Sequence, residues 1–198
     1  MDEMIVALDK ALRLQKITYV VIGGIAASLH GRPRMTMDSD IVIVLEEIKV
    51  PEFIRTMKQQ GFSVTVSSEP KIIARLQRGQ PVKLRFGKHF SVDVRIASFS
   101  LDIKAIERAK RFHIFNVKLP IVSPEDLIVY KIARFDAIDQ LDIQMILVKH
   151  SSKLDSRYMK SAATVLSEET DKKEILENLF TVFSWMKKKT LSHPHNTE

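Results

Sequence analysis

The chain of 198 residues is 45% hydrophobic and 28% charged, a composition typical of globular proteins and unlike that of disordered ones. It has no cysteine, which excludes a disulfide scaffold, a thiol nucleophile and a zinc site built on thiolates. Lysine and arginine outnumber aspartate and glutamate by 31 to 24, and the net charge of +7 favours a polyanionic partner. The acidic start is unlike a signal peptide and the longest apolar run, 19–29, is too short to cross a bilayer, so we expect a cytoplasmic protein without a membrane partner.

Hydrophobic periodicity and the placing of glycine and proline predict alternating helices and strands in the first part of the chain. The predicted helices cover 3–16, 25–30 and 51–60, and the predicted strands cover 18–22, 40–45, 62–66, 82–86 and 91–96. The last two strands alternate cleanly between apolar and polar residues, and Gly87-Lys88-His89 lies between them. This pattern predicts a hairpin with one buried face and one charged face.

The character of the sequence changes near residue 120. Ser123-Pro124-Glu125-Asp126 supplies an N-cap, a proline at the first helical position and acids in the first turn. The predicted helices that follow cover 124–135, 138–150, 155–167 and about 171–188, with a frayed tail over 190–198. We therefore expect an α/β (α+β) fold with a small mixed sheet flanked by helices over 1–120, and a helical region packed on it over 121–198.

Three acids and two glycines carry the chemical signal. Asp38 and Asp40 are two residues apart at a strand, so both carboxylates project to one face, where they repel unless a cation such as Mg²⁺ lies between them. Asp93, flanked by valines in another strand, is a third acid of suitable orientation. Gly23-Gly24 ends a strand and opens a helix, where backbone N–H groups can hold a phosphate. Together these features predict a metal–triphosphate site.

The segment 19–44 resembles the signature of the DNA polymerase beta-like nucleotidyltransferase superfamily, in the minimal form of the AbiEii-type and MenT-type proteins. That signature is a strand ending in Gly-Gly or Gly-Ser, a helix, a Gly-x-Pro-Arg-x-Thr stretch, and Asp-x-Asp on the next strand. Every element of it is present between Gly23 and Asp40. The chain departs from the pattern at Gly24, where many members have a phosphate-binding serine, and at Ser39, where a bulkier apolar residue is common.

The helix that begins Ser-Pro-Glu-Asp and contains Lys131 also resembles the helical part of that group, so the similarity extends to about residue 147. The resemblance implies two-metal nucleotidyl transfer with Mg²⁺, or Mn²⁺, as the cofactor. It implies Asp38 and Asp40 as ligands of both ions, and Asp93 as a ligand of the ion nearer the attacking hydroxyl and as the base. The residues implied in binding the nucleotide phosphates are Gly23, Gly24, Arg34, Lys131 and Arg134. Asp139 or Asp142 would orient Lys131.

The leading hypothesis is an enzyme that moves a nucleoside monophosphate from an NTP, such as ATP, onto an acceptor hydroxyl. The acceptor could be a tRNA 3′ end, a protein or a small molecule, and the net charge of +7 favours RNA. The resemblance also implies the toxin of a toxin–antitoxin system, with a cognate antitoxin as partner. The alternative is a non-catalytic or antitoxin-like protein-binding module that retains the fold, and retention of all three acids counts against it.

The acids and bases of the site also have plain structural interpretations. Asp93 could balance Arg95 or Lys83 on the polar face of the hairpin, and Lys131 and Arg134 could be solvated helix residues.

Overall fold

The computed structural model describes residues 1–64 and 69–192. The helices in these ranges are α1 (Asp2–Leu14), α2 (Gly23–His30), α3 (Val50–Gln59), α4 (Glu69–Gln77), α5 (Ser100–Arg108), α6 (Pro124–Ile132), α7 (Ala137–His150), α8 (Ser156–Thr170) and α9 (Glu174–Ser192). The strands are β1 (Tyr19–Ile22), β2 (Asp38–Ile43), β3 (Phe62–Val64), β4 (Val82–Phe86), β5 (Phe90–Ile96), β6 (Lys110–Ile114) and β7 (Val117–Ile121). None of the described helices is both long and apolar enough to cross a bilayer.

The strands form one mixed sheet in the order β3-β4-β5-β2-β1-β7-β6. Strand β2 lies at its centre, parallel to β5 and antiparallel to β1. Fully buried aliphatic side chains from these central strands, such as Val20, Ile41 and Val94, form the core on either side of the sheet. Burying this apolar surface is the main source of stability, and it fixes the register of the strands that carry the acids.

The chain forms two compact units. The first comprises 1–26, 34–98 and 102–123 and contains the whole sheet. The second comprises 27–33, 99–101 and the residues from 124 onward, and helices α6 to α9 provide its core, with buried residues such as Ile128, Ile143 and Met159.

The predicted fold class, a small mixed sheet with flanking helices followed by a helical region, is confirmed. The predicted β4–β5 hairpin is also present, with Phe86 opposite Phe90 and with Val82, Leu84, Val92 and Val94 buried. Strand β2 begins at Asp38 instead of residue 40, so both acids lie within the strand. Between them Ser39 faces the apolar side; it is fully buried, and its hydroxyl has no hydrogen-bond partner in the described part of the chain.

Other boundaries also differ from the predicted ones, and α6 shows one cause. It ends at Ile132 instead of residue 135, because Phe135 has a left-handed backbone (φ 53°) and its N–H closes a turn onto the Lys131 carbonyl at 2.8 Å. Helix α9 continues to Ser192 through part of the predicted frayed tail, whose residues 193–198 lie outside the described ranges. The predicted third strand is described as far as Val64, and its residues 65–66 lie outside those ranges.

Candidate active site

Three acids predicted to bind metal lie on one face of the sheet, on neighbouring strands. Asp38 and Asp40 are the first and third residues of β2, and Asp40 is paired directly with Asp93 of the parallel strand β5. Directly paired residues project to the same face, as do residues two apart in one strand. The sheet therefore brings Asp38, Asp40 and Asp93 to a common polar surface, as their spacing predicts.

Lys83 of β4 links two of these acids. Its Nζ lies 3.1 Å from Asp93 Oδ2 and 3.5 Å from Asp38 Oδ1. Both distances are measured from one nitrogen, so the two carboxylate oxygens lie within about 7 Å of each other, close enough to share a metal pair. Ser91 completes the group: Lys83 Nζ donates to its Oγ at 3.2 Å, and that hydroxyl donates to Asp38 Oδ1.

The environment of Lys83 favours its charged form. Partial burial alone would lower the pKa of the ammonium, but the hydrogen bond to Asp93 and the charges of Asp93 and Asp38 outweigh that effect and raise the pKa. Lys83 therefore supplies a permanent positive charge between two carboxylates at neutral pH. Of the two bases considered from the sequence as partners of Asp93, Lys83 is the one it contacts, while Arg95 donates to Asp102 at 2.6 and 2.5 Å.

Gly23 lies directly against Asp40. Its backbone is left-handed, with φ 60°, and a Cβ at this position would be 2.6 Å from Asp40 Cγ and 2.9 Å from Asp40 Cβ. Ile22, just before this turn, is paired with Asp40 across β1 and β2. The turn from β1 into α2 thus holds the backbone of Gly23 beside the carboxylate of Asp40, and only glycine combines this conformation with this contact.

Gly24 lies beside Arg34 and Thr36, two residues of the Gly-x-Pro-Arg-x-Thr stretch. A Cβ on Gly24 would be 3.1 Å from Thr36 Oγ1 and 3.3 Å from Arg34 Nη2, so a serine here would crowd both side chains. Thr36 Oγ1 also donates to the Asp38 carbonyl at 2.8 Å and accepts from the Asp38 N–H at 3.3 Å. The stretch therefore fixes the start of β2 and brings a guanidinium to the glycine turn.

The carboxylates of Asp38, Asp40 and Asp93 are ligands of the kind that a divalent cation binds, and the Lys83 ammonium contacts two of them. No group of three His, Cys, Asp or Glu side chains converges as a set of metal ligands within 1–64 and 69–192. Asp38 and Asp93 instead share the Lys83 ammonium, which shows that the two carboxylates can hold one cation between them. Carboxylate oxygens are the ligands that Mg²⁺ prefers, so the chemistry of these acids suits a divalent ion, and their role as metal ligands stays a prediction.

The second unit contains Lys131, one of the residues predicted to bind the nucleotide phosphates. Only 6% of Lys131 is exposed, and its Nζ donates to Asp139 Oδ1 at 2.9 Å and to Asp142 Oδ2 at 2.8 Å. The sequence left open whether Asp139 or Asp142 orients this lysine, and the structure shows that both do. A contact between Lys131 and a nucleotide stays a prediction.

Arg134 lies outside α6, although the sequence predicts a helix over 124–135, because α6 ends two residues before it, at Ile132. Its side chain is 69% exposed and pairs with Asp136 at 3.0 Å and with Asp139 at 2.7 Å. Asp136 in turn caps α7 by accepting from the Asp139 N–H. Arg134 is thus placed by the loop between two helices, next to the group that holds Lys131.

Replacing Lys131 with Met should lower the free energy of unfolding by about 3 kcal/mol, because the buried Asp139 and Asp142 would both lose the ammonium that they share, although Asp139 would keep its ion pair with Arg134. Urea denaturation measures the loss, and Lys160→Met, at an exposed position of α8, is the control. Adding Asp142→Asn to Lys131→Met should restore part of the stability, since one buried charge is removed. An unchanged unfolding midpoint in Lys131→Met would show that this ion pair contributes nothing.

Several solved structures are similar to this chain at the level of the fold. The solution structure of the antibiotic-resistance factor ANT(2'')-Ia is 13% identical, with a TM-score of 0.50 over 97% of this chain and 95% of that chain. The crystal structure of ANT(2'')-Ia with adenylyl-2''-tobramycin is also 13% identical, with a TM-score of 0.50 over 92% of this chain and 97% of that one. The lincomycin-bound lincosamide antibiotic adenylyltransferase LnuA is 18% identical, with a TM-score of 0.49 over 73% of this chain and 94% of its own.

No curated protein matches the chain. A protein family does match, over residues 2–181, and its description is "Nucleotidyl transferase of unknown function (DUF2204)". The match includes the glycine turn, all three acids and the Lys131 cluster. It agrees with the superfamily resemblance, while the narrower likeness to AbiEii-type and MenT-type proteins stays a prediction. The chain belongs to this nucleotidyl transferase family and is, by class, an enzyme that transfers nucleotides.

Proposed function

We propose that the protein transfers a nucleoside monophosphate from an NTP to an acceptor hydroxyl, on the sheet face that carries Asp38, Asp40 and Asp93. The observation that carries the proposal is the placing of these acids on the paired strands β2 and β5, next to the glycine turn between β1 and α2. Carboxylates and the backbone of a glycine turn meet there, which are the two kinds of group that a metal-bound triphosphate requires.

In this reaction the acceptor oxygen attacks the α-phosphorus, the bond to the bridging oxygen of the β-phosphate breaks, and pyrophosphate leaves. A divalent cation held by the three acids, Mg²⁺ or Mn²⁺, would neutralise the triphosphate and lower the pKa of the attacking hydroxyl. Asp93 accepts the proton of that hydroxyl. The backbone of Gly23 and Gly24 and the guanidinium of Arg34 bind phosphate oxygens beside the turn.

We propose that Lys131 and Arg134 of the second unit bind phosphate, as the resemblance implies. The support for this role is their charge and their arrangement: one ammonium and one guanidinium are held by a shared carboxylate, Asp139. A lysine and an arginine that are already oriented lose little side-chain entropy when they bind an anion.

The acceptor we propose is RNA, such as a tRNA 3′ end, because the net charge of +7 suits a polyanion. The likeness to AbiEii-type and MenT-type proteins supports a role as the toxin of a toxin–antitoxin pair in the cytoplasm. A small molecule is the competing acceptor, since one neighbour of similar fold was solved with adenylyl-2''-tobramycin.

The test is to incubate the purified protein with Mg²⁺ and each of the four α-³²P-labelled NTPs. Separate reactions contain total tRNA, a cell protein extract, or a mixture of aminoglycosides and lincosamides. We expect the wild-type protein to label tRNA with one preferred NTP. We expect no detectable label on tRNA in reactions with the Asp40→Asn variant. Label on protein or on an antibiotic would keep the enzyme class and change the acceptor. Absence of label in every reaction would favour the non-catalytic, antitoxin-like module.

A further inference from the structure

Lys83 is a charged component of the acidic surface that the proposed reaction does not use. It reaches both Asp38 and Asp93 from β4, and its side chain is 39% exposed at the rim of the group. The pairing of β4 with β5 places it directly opposite Asp93, so the contact follows from the register of the hairpin. A position set by register is part of the fold and is more than a chance encounter of surface charges.

We propose that Lys83 is a built-in counter-ion that competes with the divalent cation for Asp38 and Asp93, and that it lowers the affinity of the protein for free divalent metal. The proposal rests on the proposed function, because it assumes that these carboxylates bind metal.

The competition follows from charge and geometry. A divalent ion binds carboxylate oxygens at about 2.1 Å, whereas Lys83 Nζ lies 3.1 Å from Asp93 and 3.5 Å from Asp38. An ammonium at these distances repels a metal ion that binds the same carboxylate oxygens, because both are positively charged. Metal binding should therefore weaken or break the two ion pairs of Lys83, and the binding free energy is reduced by that loss.

The two neighbouring bases of the hairpin are placed differently from Lys83. Arg95 lies two residues beyond Asp93 in β5, but its guanidinium is bound by the fully buried Asp102 through two hydrogen bonds. Arg85, two residues beyond Lys83 in β4, is exposed and is paired in register with Ser91, not with an acid. Substitution of Lys83 alone should therefore remove the competing charge.

The test measures Mn²⁺ binding to the full chain without nucleotide, by titration followed by electron paramagnetic resonance of the free ion. Loss of two partly exposed ion pairs should make Lys83→Met bind Mn²⁺ roughly tenfold more tightly than the wild type. Lys88→Met, in the turn of the same hairpin, removes the same charge away from the acids and should change the affinity less than twofold. Lys83→Arg retains the charge and should bind Mn²⁺ as weakly as the wild type.

The outcomes separate this proposal from the proposed function. Circular dichroism checks that Lys83→Met folds. If the folded variant binds Mn²⁺ no more tightly than Lys88→Met does, the proposed role of Lys83 is wrong. The metal site would still be supported in that case if the wild type binds Mn²⁺ and Asp38→Asn abolishes the binding. No Mn²⁺ binding by either the wild type or Lys83→Met would overturn both. Tight binding by Lys83→Met with little or none by the wild type would be the clearest support.

Discussion

Asp38→Asn and Asp40→Asn should each lower the rate of nucleotidyl transfer about a thousandfold or more, because each removes a charge from the proposed metal site. The fold should change little, since both side chains lie on the polar face of β2 and asparagine has nearly the same shape. The rate is measured as labelled nucleotide transferred per minute at saturating NTP, and the melting temperature is measured on the same samples.

The matched control for these two variants is Glu47→Gln. Glu47 is an exposed acid in the turn after β2, so this substitution removes one negative charge away from the site. Its transfer rate should stay within twofold of the wild-type rate. Wild-type rates in both aspartate variants would show that this sheet face is not where the reaction occurs.

Gly23→Ala should cost far more activity than Gly87→Ala, although the two glycines have nearly the same backbone, with φ of 60° and 61°. The left-handed conformation alone should cost either variant about 1–2 kcal/mol of stability. A Cβ on Gly23 would in addition overlap the Asp40 carboxylate and lie 2.9 Å from the Asp40 Cβ. Because the Asp40 Cβ does not move when the carboxylate rotates, rotation cannot relieve the clash. No atom within the described ranges lies within 4 Å of a Cβ on Gly87.

We therefore expect Gly87→Ala to retain most of the wild-type activity and Gly23→Ala to lose about a hundredfold or more, as expected when a catalytic group is displaced by an ångström or so. Transfer rates are compared at a temperature where urea denaturation shows both variants to be folded. Equal activity of the two variants would mean that the position of Asp40 against Gly23 does not matter to the reaction.

The sequence predicted the parts of the site that depend on local pattern. Strict alternation in 82–86 and 91–96, with Gly87-Lys88-His89 between them, identified a hairpin and the face on which Asp93 lies. The same hairpin pairs Lys83 with Asp93, so that contact could have been read from the register. The link from Lys83 to Asp38 could not, because it depends on β2 lying parallel to β5, and no local pattern specifies which distant strands become neighbours.

The β6–β7 hairpin shows a second limit of prediction from the sequence, because neither of its strands is among the predicted elements. Its two-residue turn, Phe115-Asn116, has positive φ at both positions, a geometry for which Asn-Gly is the usual signal. Strand β6 is at the edge of the sheet and largely exposed, so it has no need of an apolar stripe, and β7 contains Pro120, which argues against a strand. In the same way the sequence placed Arg134 in α6, because the left-handed turn at Phe135 has no glycine to mark it.

The most direct test of nucleotidyl transfer is to follow the two ends of the triphosphate separately. Parallel reactions would contain the preferred NTP labelled at the α-phosphate or at the γ-phosphate, with Mg²⁺ and the accepting RNA. Transfer at the face of Asp38, Asp40 and Asp93 predicts α-label on the acceptor, and γ-label released as pyrophosphate in equal amount. Transfer of the γ-label to the acceptor, with the α-label left in a nucleoside diphosphate, would mean that the protein transfers a phosphoryl group and would contradict this account.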